Sequence, residues 1–354
     1  MSPSPLLSAV RHGDEDSASG SRTWTCDLAA THGQYIMLRG WLHHRRALKS
    51  VLFLILRDAT GTAQIVVEDA AARRELESLT HESVISVAGM AVATPRAPGG
   101  VEVHDPVVTV ISRAMADPPI ELYHPDLAAS LPSRLDAAAV TLRHPKRAMV
   151  QRMTAAALDG FRSALREQRF VEISTPKIVG SATEGGANVF ALDYFGRQAY
   201  LAQSPQLYKQ IMVGALERVF ETAPVFWAEP HDTARHVSQF LSLDAEMGFI
   251  DDHRTVMAVL TRTIRRMIAA IGELDPIAHC TGLVVPDLPD VPETIPDIHF
   301  RDALDLIREA TGEDIRHEPD LAPAHERWLG SWAQRTHGSE WLYVTGYPMV
   351  KRPF

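Results

Sequence analysis

The chain has 354 residues, of which 45% are hydrophobic and 22% are charged. This balance supports two folded domains and excludes collagen, a coiled coil and a largely disordered chain. A formal net charge of −9 at pH 7 excludes nucleic-acid binding through overall charge, so such binding needs a local basic patch. Cys26 and Cys280 are too far apart to suggest a redox pair or a thiolate metal site, and they fit a reducing compartment.

The N-terminal segment, residues 1–22, mixes Ser, Pro and acidic residues and predicts a disordered tail. It lacks the basic and apolar regions of a signal peptide. No apolar run approaches the length of a membrane span, so we expect a cytoplasmic protein without a membrane partner.

Five short β-like runs follow between residues 35 and 112. A helical stretch at 70–79 separates the third run from the fourth. This layout is typical of an OB-fold barrel, although another small β-barrel would give a similar pattern. We assign the barrel to residues 23–112, and the Pro-rich residues 113–145 to a linker or hinge.

The barrel has one concentrated basic cluster, which we place in the loop after its first strand: His43, His44, Arg45, Arg46 and Lys49. Phe53 and Gln64 lie on the next two predicted strands. An aromatic ring can stack on a base, a glutamine can read a base edge, and arginines bind phosphate. A solvated loop, a core aromatic and an ordinary surface glutamine are the alternatives.

The second domain, residues 146–354, has the mixed pattern of an α+β fold, an antiparallel sheet flanked by helices. Its predicted helices are 147–168, 205–216, 254–271 and 300–310, and its predicted strands are 199–203, 218–229, 240–250 and 341–348. The runs 218–229 and 240–250 have the length and pattern of two antiparallel strands of one hairpin.

Three segments of this domain carry the polar residues of a candidate site. Glu184 lies beside two glycines in a loop, while Ser204, Gln206 and Lys209 lie at a helix start. Such a group could hold a small zwitterion, although a helix cap and two surface residues would look the same. The hairpin supplies the other candidates: Glu229, Arg235, His236, Asp244 and Glu246.

Alternate residues of a strand share a face, so we expect Asp244 and Glu246 to point in the same direction. The spacing of His231 and His236 does not match a zinc motif, and we therefore expect no metal site there.

Five segments, in this order, resemble class II aminoacyl-tRNA synthetases of the archaeal-type aspartyl group, which also includes the asparaginyl and lysyl enzymes. They are GWLHHRRALKSVLFLILRDATGTAQIVV, RFVEISTPKI, TEGGANVF, QSPQLYKQ and VFETAPVFWAEPHDTARHVSQFLSLDAEMGFI. They resemble the anticodon-binding OB domain, motif 1, the flipping loop, the aspartate-recognition segment and motif 2. The resemblance covers nearly the whole chain.

The resemblance implies an aspartate–tRNA ligase that is homodimeric and uses ATP and Mg²⁺. Its implied partners are aspartate and tRNA(Asp), with tRNA(Asn) as a further candidate. Glu184, Ser204, Gln206 and Asp244 would surround the ammonium group of aspartate, and Lys209 would pair with its β-carboxylate.

The resemblance also assigns the remaining site residues. Arg235, His236 and Glu229 would be the catalytic residues and would bind ATP, with Arg235 and His236 at the phosphates and Glu229 at the adenine. The residues implied at the anticodon are Arg45, Arg46, Phe53 and Gln64. The residue implied at the dimer interface is Pro176.

Three features depart from the family pattern. Trp227 stands where motif 2 has an arginine that bridges the amino-acid carboxylate and the α-phosphate, and an indole carries no charge. Gln239 stands where an acid is expected. The chain stops at Phe354, before a metal-binding acid, a second arginine and motif 3, so we expect an incomplete catalytic domain with an exposed sheet edge.

These departures leave two alternatives to the ligase. The first is a catalytically silent, truncated relative that binds tRNA or a synthetase partner. The second is an enzyme that activates an amino acid without using tRNA. Phe53 and Gln64 argue against the second, because it has no need of anticodon-binding residues.

Overall fold

The structure, a computed structural model, describes residues 10–12, 21–181, 189–228, 237–274 and 287–350. Its contacts form two compact units, residues 1–153 with 273–286 and residues 154–272 with 287–354. No helix in the described part of the chain combines the length and the apolar character that a membrane span requires.

The described part of the first unit contains six strands: β1 (Val10–His12), β2 (Tyr35–Ala47), β3 (Leu52–Arg57), β4 (Thr62–Val67), β5 (Val84–Ala93) and β6 (Val101–Ser112). Five of them close into a barrel in the order β6-β4-β3-β2-β5, with β5 pairing back to β6. Helix α1 (Ala70–Leu76) lies between β4 and β5. The predicted OB-fold barrel is therefore confirmed, with a helix shorter than the expected 70–79.

Alternation along the strands builds the barrel core. Leu52, Leu54 and Leu56 of β3 point inward and are fully buried, whereas Phe53 and Ile55 between them are half-buried. Each such leucine contributes about 1.5–3 kcal/mol through burial. The same alternation leaves the polar and aromatic residues of β3 and β4 on the outer face of the barrel.

Two features of the barrel differ from the sequence-based expectations. Strand β1 pairs in parallel with β6, so residues 10–12 of the expected tail have a regular conformation. The prediction of a loop for the basic cluster is wrong for four of its five members, because β2 extends to Ala47. His44, Arg45 and Arg46 pair with β3, and His43 lies at a register shift in the same strand. Only Lys49 lies beyond the strand.

The segment expected to be a linker contains two short helices, α2 (Leu131–Asp136) and α3 (Ala138–Thr141), and ion pairs bind it to the barrel. Glu82, 8% exposed, accepts two hydrogen bonds from Arg57 of β3, at 2.8 and 3.0 Å. Arg143 donates a third at 2.9 Å. Burial by itself raises the pKa of Glu82, but the His43 imidazole and the two guanidinium groups outweigh it and lower the pKa to about 2.

The lowered pKa of Glu82 makes barrel stability depend on pH. At pH values above 4.5, the ordinary pKa of a glutamate, the carboxylate of Glu82 should contribute about 3 kcal/mol to the free energy of unfolding. This contribution is lost as the pH falls from 4.5 towards 2. We expect Glu82→Gln to lower stability by about 3 kcal/mol at pH 7, measured by urea unfolding, because Arg57 loses its buried partner.

The same experiment at pH 3 should give a much smaller difference between Glu82→Gln and the parent protein. Glu68→Gln is the control, because Glu68 is exposed and has no side-chain partner in the described part of the chain. If the difference in unfolding free energy between Glu82→Gln and the parent protein is the same at pH 7 and pH 3, the carboxylate charge is not its cause.

The second unit has short strands and longer helices. Helix α4 (Pro145–Glu167) begins in the first unit and continues into the second, where α5 (Gln206–Leu216), α6 (His253–Gly272), α7 (Phe300–Thr311) and α8 (Pro323–His337) follow. The strands are β7 (Val171–Glu172), β8 (Ile178–Val179), β9 (Ala191–Tyr194), β10 (Arg197–Leu201), β11 (Arg218–Phe226), β12 (Gln239–Met247), β13 (Asp297–His299) and β14 (Tyr343–Thr345). The α+β class is confirmed.

Strands β11 and β12 form the predicted hairpin, and all nine residues of each strand are paired, antiparallel. Strand β7 adds to β11 in parallel, so β12 is an edge strand in the described part of this sheet. On β12, Leu241 and Leu243 are 45% and 38% exposed. An exposed, partly apolar edge therefore runs along the strand that carries Asp244 and Glu246.

Two apolar clusters hold this unit together. Phe220 of β11 packs against α4 and α6 in a cluster that includes Phe161, Leu165 and Val259. Gly160 permits close contact between the two helices, because a Cβ there would lie 2.7 Å from the Cα of Met267. A second cluster joins α7 to α8 and β14. The first cluster therefore backs the hairpin that carries the candidate site.

Candidate functional site

The predicted polar group at the start of α5 lies in a buried turn between β10 and the helix. Ser204 is 7% exposed, and its hydroxyl accepts a hydrogen bond from the Gln206 N–H at 3.2 Å. Pro205 is the N-cap residue of α5. Lys209 follows one turn later, so Ser204 and Lys209 belong to the same end of the helix.

Lys209 meets the two carboxylates that were predicted to share a face of β12. Its Nζ lies 3.2 Å from Oδ1 of Asp244 and 3.6 Å from Oε2 of Glu246. The side chains of Lys209 and Asp244 are only 12% and 15% exposed. The structure therefore brings Lys209, Asp244 and Glu246 together, with Ser204 in the turn that precedes the same helix, and the shared face of the two acids is confirmed.

A further carboxylate, which the sequence analysis missed, faces Asp244 across the hairpin. Glu221 is 4% exposed and pairs directly with Asp244 in the strand register. Like charges in opposite positions destabilise a sheet. A separate lysine compensates each acid, because Lys177 donates to Glu221 at 2.7 Å as Lys209 does to Asp244. The sequence signal was a glutamate inside the apolar strand RVFETAPVF.

Glu221 also orders the segment that contains Pro176. Its carboxylate accepts hydrogen bonds from the N–H and the hydroxyl of Thr175, at 2.6 and 2.9 Å. Thr175 and Lys177, the two neighbours of Pro176 in the chain, therefore both bind the buried side chain of Glu221. Pro176 itself is exposed.

Trp227 lies beside the turn that carries Ser204. Its indole Nε1 donates a hydrogen bond of 2.8 Å to the carbonyl oxygen of Gln203. Its ring packs at 71° against the ring of Phe240, with 5.6 Å between the centroids. The only hydrogen of the indole that can be donated is thus used within the protein.

Several predicted site residues lie outside the described residues: Glu184, Glu229, Arg235 and His236. Gln239 is described and is the first residue of β12. Among the described residues, no group of three or more His, Cys, Asp or Glu side chains could hold a metal ion.

The outer face of the barrel places Phe53 and Gln64 on the neighbouring strands β3 and β4, as predicted. Arg46 pairs with Phe53 in the β2–β3 register, and its guanidinium lies 5.9 Å from the Phe53 ring centroid. Arg45 is turned to the other side of β2 and donates to the carbonyl oxygen of Leu79. Arg46 is therefore the arginine that accompanies Phe53.

Gln64 is held by an acid that the sequence analysis did not consider. Its Nε2 donates to Oε1 of Glu102 on β6 at 2.5 Å, and the other oxygen of Glu102 lies 3.2 Å from Nε2 of His104. This contact sets the orientation of the Gln64 amide. The alternation of Glu102 and His104 in VEVHD was the available signal.

Comparison with known proteins decides the family. Residues 36–111 match the OB-fold nucleic acid binding domain, and residues 130–354 match the class II tRNA synthetases (D, K and N). The chain belongs to this synthetase family. The barrel and the domain that contains Lys209 are thus its two matched regions.

The sequences of two relatives are similar to this class II synthetase chain over most of its length. Aspartate–tRNA(Asp/Asn) ligase of Deinococcus radiodurans is 43% identical over 333 residues, which cover 94% of this chain and 74% of that protein. The enzyme of the same name from Thermus thermophilus is 40% identical over 93% of this chain and 75% of that protein. The chain therefore spans about three quarters of the length of these relatives.

A solved structure gives the same result for the fold of this synthetase chain. The asparaginyl-tRNA synthetase from Pyrococcus horikoshii, complexed with asparaginyl-adenylate, superposes with a TM-score of 0.77 at 27% identity. The match covers 94% of this chain and 75% of that chain.

The contacts of Lys209 predict its contribution to stability. We expect Lys209→Met to lower the free energy of unfolding by about 2 kcal/mol, because Asp244 and Glu246 lose their shared counter-charge. Adding Asp244→Asn should recover part of this loss by removing one of the two negative charges. Urea unfolding of both variants tests the expectation.

Arg327→Met serves as the charge-removal control, since Arg327 is exposed and has no side-chain partner in the described part of the chain. If Asp244→Asn lowers the stability of the Lys209→Met variant further, repulsion between Asp244 and Glu246 is not the cause of the stability lost in Lys209→Met.

Proposed function

We propose that this protein is an aspartate–tRNA ligase that activates aspartate with ATP and transfers it to tRNA. The observation that carries the proposal is the position of Lys209, whose ammonium contacts both Asp244 and Glu246 near the start of α5. One ammonium and two carboxylates in a partly buried site complement a ligand that carries an ammonium and a carboxylate. The aspartate–tRNA ligase names of the relatives support the same ligand.

In the proposed mode of binding, Lys209 turns from Asp244 to the side-chain carboxylate of aspartate. Asp244, with Glu184, Ser204 and Gln206, then receives the ammonium group of the substrate. Asparagine would bind less well, because its neutral amide gains little from a lysine ammonium. Specificity for aspartate thus follows from the positive charge of Lys209, which acts more strongly in a partly buried site than in water.

The proposed reaction has two steps. The α-carboxylate of aspartate attacks the α-phosphorus of ATP and pyrophosphate leaves. The terminal ribose hydroxyl of tRNA then attacks the activated carbonyl carbon, and AMP leaves. For such chemistry the protein supplies chiefly orientation and charge stabilisation.

Arg235 and His236 at the phosphates and Glu229 at the adenine are proposed as the ATP-binding residues, by resemblance. Mg²⁺ is proposed as a cofactor from the family alone. The described residues form no cluster suited to a metal ion, and the carboxylates of Asp244 and Glu246 already face Lys209. We therefore assign none of the described residues to Mg²⁺.

The outer face of the barrel is the proposed anticodon-binding surface. Phe53 would stack on a base, Gln64 would read a base edge, and Arg46 would meet phosphate, with Arg45 behind it. The relatives named for both tRNA(Asp) and tRNA(Asn) support both tRNAs as substrates. We also propose a homodimer through the segment around Pro176, where Ile178 and Val171 are 47% and 44% exposed, and a cytoplasmic location.

A second candidate function is tRNA binding without aspartate activation. The observation that favours it is Trp227, whose neutral side chain already donates its hydrogen to Gln203 and cannot neutralise a phosphate. The two candidates share the barrel and differ in whether the Lys209 site performs chemistry.

Aspartate-dependent exchange of labelled pyrophosphate into ATP separates the two candidates. The ligase should show this exchange, and Lys209→Ala should reduce it roughly 100-fold because the carboxylate of aspartate loses its cation. Arg327→Ala, which removes an exposed charge that is not among the proposed site residues, should retain normal exchange. Absence of exchange in the parent protein, together with tRNA binding, would support the second candidate.

Binding of tRNA tests the barrel surface under both candidates. Phe53→Ala should weaken binding about 10- to 100-fold, which corresponds to one lost base stack. Tyr35→Ala is the matched control, because Tyr35 is an aromatic of the same barrel that is 62% exposed. Equal losses in the two variants would exclude a specific stacking role for Phe53.

A further inference from the structure

Trp227 connects the β11–β12 hairpin to the turn before α5. Besides the indole bond to the Gln203 carbonyl, at 2.8 Å, its backbone N–H donates to the carbonyl of Ser238 at 3.0 Å. One residue therefore contacts the closing end of the hairpin and the segment that leads into the candidate aspartate site.

The segment that receives these bonds is buried and short. Gln203 and Ser204 are 1% and 7% exposed, and the carbonyl of Ala202 accepts the Phe226 N–H at 3.0 Å. Residues 202 and 203 are thus bound to consecutive residues at the end of β11. Helix α5 begins three residues after Gln203, and its first turn carries Gln206 and Lys209.

We propose that Trp227 is a positioning residue for amino-acid binding, which acts through Gln203. Its indole N–H holds the Gln203 carbonyl, and this bond fixes the backbone that presents Ser204, Gln206 and Lys209. A binding site that is held in place before the ligand arrives loses less entropy on binding. The inference rests on the proposed function only for the identity of the ligand.

The alternative role for Trp227 is packing against Phe240. The two roles use different parts of the side chain, because the ring makes the packing contact and Nε1 makes the hydrogen bond. Removing a hydrogen-bond donor from a buried carbonyl destabilises the backbone that carries it. Loss of the hydrogen bond and loss of the ring contact should therefore have separable effects.

Three variants separate these roles. Trp227→Phe retains an aromatic ring and removes the N–H donor. Phe240→Leu removes the ring partner and retains the hydrogen bond. Trp341→Phe is the matched control, because Nε1 of Trp341 is buried without a hydrogen-bond partner in the described part of the chain.

The first measurement is amide hydrogen exchange of the protein without ligand. Trp227→Phe should accelerate exchange in the peptide spanning residues 202–209 about 10-fold and leave α6 unchanged. Phe240→Leu and Trp341→Phe should leave residues 202–209 at the parent rate. Equal acceleration by Phe240→Leu, or none by Trp227→Phe, would overturn the proposal.

The second measurement is calorimetric titration with aspartate and, separately, with ATP. Trp227→Phe should weaken aspartate binding roughly 5- to 10-fold and leave ATP binding within twofold of the parent protein. A loss that is equal for both ligands, or none for aspartate, would contradict positioning through Gln203. If the parent protein does not bind aspartate, the proposed function fails, and the exchange measurement still decides the role of Trp227.

Discussion

A buried carboxylate, Glu221, and a partly buried one, Asp244, face each other across the β11–β12 hairpin, and the organisation of the second unit depends on compensating them. Glu221 and Asp244 are opposite in the register, where like charges repel. Lys177 and Lys209 neutralise them from two different segments. The same pairs therefore draw the Pro176 segment and the start of α5 to one face of the sheet.

The register of the hairpin makes this arrangement specific. Because side chains alternate along a strand, a slip of one residue would replace Asp244 and Glu246 by Leu243 and Ala245 on the site face. Burial of Phe220 against α4 and α6 opposes such a slip. An apolar contact on one face of the hairpin thus secures the charged contacts on the other.

In the barrel, a comparable role belongs to Glu82. It joins β3 to Arg143, so residues beyond the last barrel strand are bound to the barrel itself. Arg45 and Arg46 are adjacent on β2, so their side chains point to opposite sides of the strand. Only Arg46 lies near Phe53 on the outer face of the barrel. In a chain with a net charge of −9, the proposed tRNA surface therefore depends on few cations and on stacking.

Periodicity in the sequence determined the elements that bury a continuous apolar face. The five barrel strands, the β11–β12 hairpin and helices α4, α6 and α7 were predictable because each repeats its apolar residues at the period of its own structure. The shared face of Asp244 and Glu246 followed from the same rule. Motif order was enough to indicate the family.

Tertiary structure alone decided the remaining features. Strands β9 and β13 are only four and three residues long, too short for a periodic signal, and they exist because a neighbouring strand pairs with them. Helix α8 is stabilised by packing of Trp328 and Leu329 against α7 rather than by its local pattern. The partners of Glu221, Gln64 and Trp227 come from segments that are distant in sequence, so only the folded chain could show which group each side chain holds.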